Sequence, residues 1–169
     1  MPNEFRVPCD WAPLDDALYR AYHDTEWGVP IYDSRQLWAK LQLDGMQAGL
    51  AWITILRKRD TIIEEFDEFD PRKIARWDEA RIDKALLNSG IIRSRQKVKA
   101  VIGNAQAYLK QAEVGEDFSE WCWKFVGGKP LETTHTYWRD MPTKTELSET
   151  VSKAMKKRGY KFVGPVIVQ

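Results

Sequence analysis

The sequence predicts an all-α protein, and three observations support this expectation. Apolar residues recur at helical spacing in several segments, most clearly between residues 98 and 109. Residue types that cap helices stand directly before these segments, and glycines follow them. An apolar run typical of a strand is limited to residues 162–168, which could equally begin a helix. The chain is therefore expected to fold as a succession of short helices.

Each expected helix is defined by its own boundary residues. Side chains of Ser, Thr and Asp accept hydrogen bonds from the free amides of a first turn, proline fits that turn, and glycine ends a helix readily. We expect residues 127–142 to form a loop. The predicted boundaries, in chain order, are Asp33 or Ser34; Thr61 with Glu64 as a capping box; Asp70 with Pro71; Asp78 to Gly90; Ser94 to Gly115; Asp117 to Gly127; and Thr143 with Glu146 to Gly159.

Length and composition indicate a single domain spanning residues 1–169. A chain of 169 residues with 43% apolar content can bury a sizeable core. No stretch is long and apolar enough to cross a bilayer, and the N-terminus lacks the pattern of a secretory signal. Only Cys9 and Cys122 occur, which fits a reducing compartment. We expect a cytoplasmic monomer that does not bind membranes.

The net charge of +1 conceals an asymmetry between the two halves of the chain. Residues 1–90 carry 12 basic and 17 acidic side chains, whereas residues 91–169 carry 14 basic and 8 acidic ones. Because a polyanion responds to the local potential of one surface, the second half is the better candidate for a nucleic-acid face. The alternative is that these Lys and Arg residues only solvate helices.

Two runs combine aromatic and ionisable residues in a pattern that packing alone does not require. Residues 21–30, AYHDTEWGVP, place two aromatics, a histidine and two carboxylates before a Gly-Val-Pro break. A ligand pocket is one interpretation of this run, and a polar cap is the other. Residues 43–52, LDGMQAGLAW, place a carboxylate, a carboxamide and a tryptophan around two glycines, which favours the pocket.

A helical hairpin is expected within residues 85–108. The pattern is a helix, a glycine with two isoleucines, and a second helix that begins near Ser94. Such a turn presents the first N–H groups of the second helix, and the helix dipole adds partial positive charge, so a phosphate oxygen can bind there. Phosphate contacts carry no base information and suit a protein that scans any sequence. The alternative is a packing corner in which Ile91 and Ile92 are simply buried.

A basic cluster lies at the end of the last predicted helix. Positive charge there offsets the helix dipole, so a solvated face accounts for the cluster as well as phosphate binding does. Its members are Lys153, Lys156, Lys157, Arg158 and Lys161.

Together these runs resemble the DNA-3-methyladenine glycosylase I family, which are helix-hairpin-helix enzymes of base-excision repair. The resemblance extends along nearly the whole chain and includes Cys9 with Trp11, residues 21–30, 43–56, 90–109 and 152–164. It implies an all-helical glycosylase fold with the helix-hairpin-helix at about residues 80–109. It also implies excision of N3-methyladenine from alkylated double-stranded DNA, which leaves an abasic site.

The resemblance further implies which residues form the sites. An aromatic pocket for the flipped base corresponds to Tyr22, Trp27 and Trp52. A carboxylate that contacts the base edge, and is the catalytic candidate, corresponds to Asp44. The residues expected to bind DNA through the hairpin and the basic cluster are Gly90, Ile91, Arg93, Arg95, Lys97, Lys157, Arg158 and Lys161.

The expected chemistry fits these residue types. N3-methylation makes adenine cationic, so the base departs as a neutral molecule and needs little acid catalysis. Electron-rich ring faces favour a cationic base by roughly 1–2 kcal/mol per desolvated contact, and Asp44 could accept a hydrogen bond from the exocyclic amine. The resemblance implies a branch without the catalytic aspartate of other helix-hairpin-helix glycosylases. No acidic residue lies between Gly90 and Leu109, where Asn104 and Gln106 occur.

Two features depart from the family pattern. The family usually has glutamate where this chain has Asp44, so affinity or lesion preference is expected to differ; Asp44 could instead be a cap or turn residue before Gly45. The family's structural zinc has a Cys and a His that match Cys9 and His23, but its second His and Cys have no counterpart here. We therefore expect zinc to be incomplete or absent, and the chain to lack the family's C-terminal segment.

Other functions remain open from the sequence alone. A non-catalytic helix-hairpin-helix module would bind DNA but would not need the aromatic and acidic pocket. A related glycosylase could prefer a different lesion. A metal-dependent hydrolase could use His23, Asp24 and Glu26, although only two histidines exist and no HExxH spacing occurs.

Overall fold

The computed structural model describes residues 9, 11–13, 15–135 and 137–169, and these residues form helices and turns but no strand. The all-α prediction is confirmed. Two short 3-10 turns lie at Asp67–Phe69 and Trp138–Asp140. No described helix combines the length and the apolar character needed to cross a membrane. The helices are α1 (Ala17–Thr25), α2 (Ser34–Gln47), α3 (Trp52–Glu65), α4 (Pro71–Ile74), α5 (Glu79–Leu87), α6 (Arg95–Glu113), α7 (Phe118–Lys124) and α8 (Glu146–Lys157).

Five predicted helix starts are confirmed by their hydrogen bonds. In each case a side-chain oxygen accepts from a backbone amide of the first turn, which satisfies one of the amides that a helix start leaves free. The predicted stops of α6 and α8 also hold, because the glycines that follow them have φ of +77° and +93°. The capping residues are Asp33, Asp70, Asp78, Ser94 and Asp117, and the two glycines are Gly115 and Gly159.

The predicted capping box at Thr61 and the predicted cap of α8 at Thr143 are wrong. Thr61 and Glu64 lie inside α3, which runs unbroken from Trp52 because Ile55, Leu56 and Ile62 share one buried face. The box of α8 is formed by Thr145 rather than Thr143. The Thr145 hydroxyl accepts from the Ser148 amide, and the Ser148 hydroxyl accepts from the Thr145 amide. Serine thus takes the place that a glutamate usually fills.

The predicted stop of α5 at Gly90 is also wrong. The helix ends at Leu87, because Asn88 adopts extended backbone angles of φ −73° and ψ 110°. Gly90 lies two residues later, where a Cβ atom would overlap the Thr61 Cγ2 methyl of α3. Glycine is required at this position by close packing between the hairpin and α3, and not by a left-handed turn.

The core is built around Trp38 of α2, which is fully buried. The centroid of the Trp38 ring lies 6.1 Å from that of Phe69, which it meets edge-on, and 5.5 Å from that of Tyr108 of α6, to which it is tilted by 49°. Helix α4 packs against α6, and α2 packs against both α3 and α7. Each fully buried large apolar side chain contributes about 1.5–3 kcal/mol, so this cluster fixes the position of α2.

The segment after α8 lies against the same helix. Phe162 has a positive φ of 55°, and its Cβ and carbonyl oxygen lie 3.3 Å from where a Cβ of Gly45 would be. Residues 164–168 form a hydrogen-bonded turn and no strand, since the Ile167 and Val168 amides both donate to the Gly164 carbonyl. The close contact at Gly45 positions α2 next to the C-terminal segment.

Candidate functional site

Two aromatic rings from α1 and α3 form the wall of the candidate pocket. The rings of Tyr22 and Trp52 have centroids 5.2 Å apart and are tilted by 46°. Ion pairs connect both ends of α1 to α3: Arg59 donates to both carboxylate oxygens of Glu26, and Arg57 donates to Asp16 at 2.9 Å. The long-range packing of α1 on α3 therefore joins the two runs that the sequence singled out.

Asp44 lies within α2, where its carboxylate accepts a hydrogen bond from the Lys40 ammonium one turn earlier. The interpretation of Asp44 as a cap or turn residue is therefore wrong. The same Lys40 Nζ lies 4.7 Å from the centroid of the Trp52 ring. The side chains of Lys40 and Asp44 are 31% and 21% exposed, so both are partly shielded from water. Asp44, Lys40 and Trp52 form one connected group.

Tyr22 and Asp44 influence each other electrostatically. Burial raises the pKa of the Tyr22 phenol far above its usual value, and the carboxylates of Asp44 and Glu26 raise it further. Burial also raises the pKa of Asp44, and the Lys40 ammonium opposes that rise. Tyr22 therefore stays a neutral hydrogen-bond donor, while the ion pair with Lys40 favours the charged form of Asp44.

The Trp52 indole supplies a second donor. Its Nε1 is buried and has no hydrogen-bond partner among the described residues. A buried indole N–H normally has an acceptor, and leaving one unpaired costs roughly 1–3 kcal/mol. An acceptor atom on a bound base would satisfy this group.

Trp27 belongs to a neighbouring aromatic cluster rather than to the Tyr22 and Trp52 pair. Its ring contacts Trp11 edge-on at 5.2 Å and stacks on His23 at 5.7 Å, and 41% of the residue is exposed. Its backbone amide donates to the Tyr22 carbonyl at 3.0 Å, so it follows the pocket wall directly. The predicted contact of Trp27 with the base remains a prediction. Trp11 also belongs to this cluster, and the sequence pattern does not reveal it as a site residue because only the fold brings it there.

Cys9 and His23 lie side by side, as the expected zinc ligands would. The Cys9 amide donates to His23 Nε2 at 3.4 Å, and His23 Nδ1 lies 2.7 Å from the Asp24 carboxylate. A structural zinc needs four donors, yet no group of three or more candidate ligands occurs within the described residues. Burial raises the pKa of the Cys122 thiol to about 12, so that thiol is a poor additional ligand. The donors described here do not complete a zinc site.

The helical hairpin is formed by α5, residues 88–94 and α6. The Ser94 hydroxyl accepts from the Lys97 amide, which satisfies one of the first amides of α6. The Ile91 side chain is buried, so only its backbone could meet DNA, and Gly90 is packed against Thr61. Arg93 is exposed at the turn. The structure thus provides the predicted turn and one exposed cation within it.

Lys97 connects the hairpin to the pocket. Its ammonium donates to the carbonyls of Met46 and Ala48, both at 2.7 Å, at the C-terminal end of α2. A cation at this position offsets the negative end of the helix dipole. Burial lowers the pKa of Lys97. This lysine is therefore engaged within the protein, and its predicted contact with DNA remains untested.

The other cations predicted to bind DNA differ in whether acidic side chains of the protein pair with them. Arg95 pairs with Glu79 and Asp83. Arg158 makes three hydrogen bonds to Glu116 and lies over the Trp121 ring at 4.2 Å. Lys157 and Lys161 are exposed. A cleft of about 500 Å³ between α6 and the end of α8, the lysine cleft, is lined by Lys99, Lys156 and Lys161 among other residues, and the Lys99 ammonium pairs with Glu79 at 2.6 Å.

Asn104 has a structural role. Its amide nitrogen donates to Gln42 Oε1 at 2.8 Å and to the Lys161 carbonyl at 3.1 Å, and its oxygen accepts from the Lys161 amide at 2.8 Å. Asn104 is buried, and these bonds join α2, α6 and the C-terminal segment. Gln106 donates to the Ala75 carbonyl at 3.2 Å. Neither residue is placed to act as an acid on a base in the Tyr22 and Asp44 pocket.

Comparison with known proteins gives consistent results. The methyladenine glycosylase family model matches residues 11–169. A DNA-3-methyladenine glycosylase of Haemophilus influenzae is 47% identical over 92% of this chain and 84% of that protein. A crystal structure of 3-methyladenine DNA glycosylase I matches with a TM-score of 0.94 and 47% identity, over 96% of this chain and 88% of the other. A variant of 3-methyladenine DNA glycosylase I in complex with 3-methyladenine matches with a TM-score of 0.90 and 36% identity, over 95% and 86% of the respective chains.

Proposed function

The chain belongs to the methyladenine glycosylase family, and from this premise we propose that it hydrolyses the N-glycosidic bond of N3-methyladenine in alkylated double-stranded DNA. The product is free base and an abasic site. The observation that carries this proposal is that Tyr22, Trp52 and Asp44, from three different helices, belong to one cluster: the Tyr22 and Trp52 rings are in contact, Lys40 links Trp52 to Asp44, and the Asp44 charge acts on Tyr22. Such a pocket has no purpose in a module that only binds the DNA backbone.

The substrate supplies much of the reactivity. N3-methylated adenine is a cation, so cleavage of its glycosidic bond releases a neutral base. Neutral adenine would have to leave as an anion or be protonated first. The protein's contribution is to hold the extruded nucleotide outside the stack, where water can reach the sugar carbon.

The pocket residues have distinct roles in this proposal. The electron-rich faces of Tyr22 and Trp52 attract a cationic ring at roughly 1–2 kcal/mol per contact when water is excluded. Asp44 accepts a hydrogen bond from the exocyclic amine and adds charge attraction. The unpaired Trp52 Nε1 donates to an acceptor on the base or sugar. None of these groups needs to protonate the leaving base, and the water that adds to the sugar carbon releases its proton to solvent.

Asp44 reaches less far than the glutamate usual in the family. Its carboxylate is also paired with Lys40, so the base must meet a carboxylate that already has one partner. We propose that contact requires either a shared carboxylate or a shift of the lysine. Asp44→Glu would extend the carboxylate by one methylene and should strengthen base binding if reach is limiting.

Binding of the DNA backbone is proposed to come from the hairpin turn and the lysine cleft. Arg93, Lys157 and Lys161 are exposed cations on the basic half of the chain, and phosphate contacts of this type are independent of sequence. Leu50 is proposed to fill the gap that the extruded base leaves. Leu50 is 39% exposed and stands two positions before Trp52 in the sequence, whereas Met46, another apolar residue of the same run, is only 3% exposed and belongs to the core.

We also propose where the protein acts, its oligomeric state and how it would hold a metal. Two separated free cysteines fit a cytoplasmic protein, and a DNA-scanning enzyme of this size can act as a monomer. A structural zinc would use Cys9 and His23, but needs donors beyond those described here. No step of the proposed hydrolysis uses a metal.

The test is the formation of abasic sites in alkylated duplex DNA. The protein should convert N3-methyladenine positions to alkali-labile sites and leave untreated DNA intact. Binding that weakens with salt, without any strand breaks after alkali, would instead identify a non-catalytic module. An Asp44→Asn variant that still binds DNA controls for contaminating activity.

A further inference from the structure

Lys40 occupies the position in the pocket where a cationic base would find its strongest partners. Its ammonium is hydrogen-bonded to the Asp44 carboxylate and lies 4.7 Å from the Trp52 ring centroid. These are the carboxylate and the aromatic ring that the proposed function assigns to the methylated base. A permanent cation of the protein therefore takes the same two contacts.

The charges around the pocket otherwise balance. Two carboxylates and one guanidinium act on Tyr22: those of Asp44, Glu26 and Arg59. Arg59 is paired with Glu26 through two hydrogen bonds, which leaves Asp44 as the charge that would attract a cation. Lys40 neutralises that remaining charge. With Lys40 in place the described pocket has no net charge, and without it the pocket would carry one negative charge.

We propose that Lys40 is a specificity-determining residue, which lowers the preference of the pocket for cationic over neutral alkylated bases. This inference rests on the proposed function and deepens it. A cationic base must share Asp44 with the ammonium or displace it, and like charges at this separation repel. A neutral base of the same shape meets no such repulsion and can still stack on Tyr22 and Trp52. The pocket is thereby adapted to accept neutral bases more readily than an acidic pocket would.

The experiment compares a cationic and a neutral base in the same duplex. The cationic substrate is N3-methyladenine, for which single-turnover excision gives an apparent half-saturation concentration. The neutral probe is 3-deaza-3-methyladenine, in which carbon replaces the ring nitrogen at position 3. The dissociation constant for the duplex that carries it is measured by fluorescence anisotropy. Lys40→Met should tighten binding of the cationic lesion about tenfold, because the tenfold change corresponds to only a modest fraction of the interaction energy of two close charges. The same substitution should change binding of the neutral probe less than about twofold.

Matched variants separate charge from structure. Lys40→Arg keeps the positive charge and should retain the low preference for the cation. Arg20→Met removes the cation of another pair at the same helical spacing, with Asp24 on α1, and should change neither measurement. If Lys40→Met melts at a lower temperature, Lys40→Gln, which can still donate to Asp44, serves as the test variant.

A pH profile gives a second readout that a purely structural role would not move. Burial raises the pKa of Asp44 and the Lys40 ammonium counteracts it, so removal of Lys40 should shift the acid limb of excision to higher pH. Equal changes for both probes, or no change in selectivity in either uncharged variant, would overturn the inference. A wild-type protein that excises no N3-methyladenine would instead overturn the proposed function.

Discussion

Replacement of Asp44 by asparagine tests the assignment of the base-edge acceptor with little change of shape. Asparagine preserves the side-chain volume but removes the negative charge and one acceptor. A hydrogen bond to a charged group contributes about 1.5–3 kcal/mol, which corresponds to roughly 10- to 150-fold in rate or binding. The substitution also leaves the Lys40 ammonium unpaired, 4.7 Å from the Trp52 ring that the cationic base should contact. We therefore expect kcat/KM for N3-methyladenine to fall about 100-fold, toward the upper end of this range.

The assay is single-turnover excision from a duplex with one N3-methyladenine, measured across pH. The carboxylate is the form of Asp44 that accepts from the amine, and burial raises the pKa of this group. As the pH falls through that raised pKa, protonation removes the contact, so wild-type activity should decline on the acid side. Asp44→Asn should lack this limb. Glu149→Gln is a matched control, because it neutralises a carboxylate paired with Lys144 on the surface of α8.

Wild-type kcat/KM in Asp44→Asn would refute the assignment of Asp44. The same conclusion would follow if the variant kept the acid limb, because another group would then be responsible for it. A gain in activity for Asp44→Glu would support the reasoning and show that the shorter side chain limits contact.

The remaining predictions concern packing, the grip on DNA and metal. Gly90→Ala should lower the free energy of unfolding by about 1–3 kcal/mol, because its methyl would overlap Thr61. The double variant with Thr61→Ala should recover more than half of that loss, as measured by thermal or urea denaturation. Arg93→Gln should reduce the slope of the logarithm of the DNA-binding constant against the logarithm of salt concentration by about one unit on any duplex. Lys97→Met should instead lower the melting temperature of the protein and leave that slope unchanged. The reverse pattern would contradict the structure. Metal analysis of the purified 169-residue protein should find less than one equivalent of zinc, and a full equivalent would show that donors outside the described group complete the site.

The features that could be predicted from the sequence are those set by neighbouring residues. Asp78 and Ser94 act as helix caps because the hydrogen bond spans only three positions, so the pattern alone is informative. The aromatic and acidic character of the pocket could also be predicted, since aromatic and ionisable residues cluster within two short runs of the sequence. The i, i+4 spacing of Lys40 and Asp44 was visible in the sequence as well, and could have revealed their ion pair.

The features that could not be predicted depend on packing between distant segments. Gly90 has the sequence signature of a helix stop, yet its role is set by Thr61, which lies 29 positions earlier on another helix. Lys97 looks like a free cation of the hairpin, but its partners are carbonyls about 50 positions away at the end of α2. The division of Trp27 and Trp52 between two aromatic clusters likewise follows from how α1 packs on α3. Such contacts have no local sequence pattern.

The most direct test of the account is chromatography of the bases that the protein releases from methylated duplex DNA. The cationic-base mechanism predicts free N3-methyladenine in amounts that grow with time and enzyme, and no release above background of unmodified adenine. Release of N3-methyladenine should also be about 100-fold slower in Asp44→Asn. If wild-type protein binds the duplex but liberates no methylated base, the assignment of Tyr22, Trp52 and Asp44 to a base-excision pocket is contradicted.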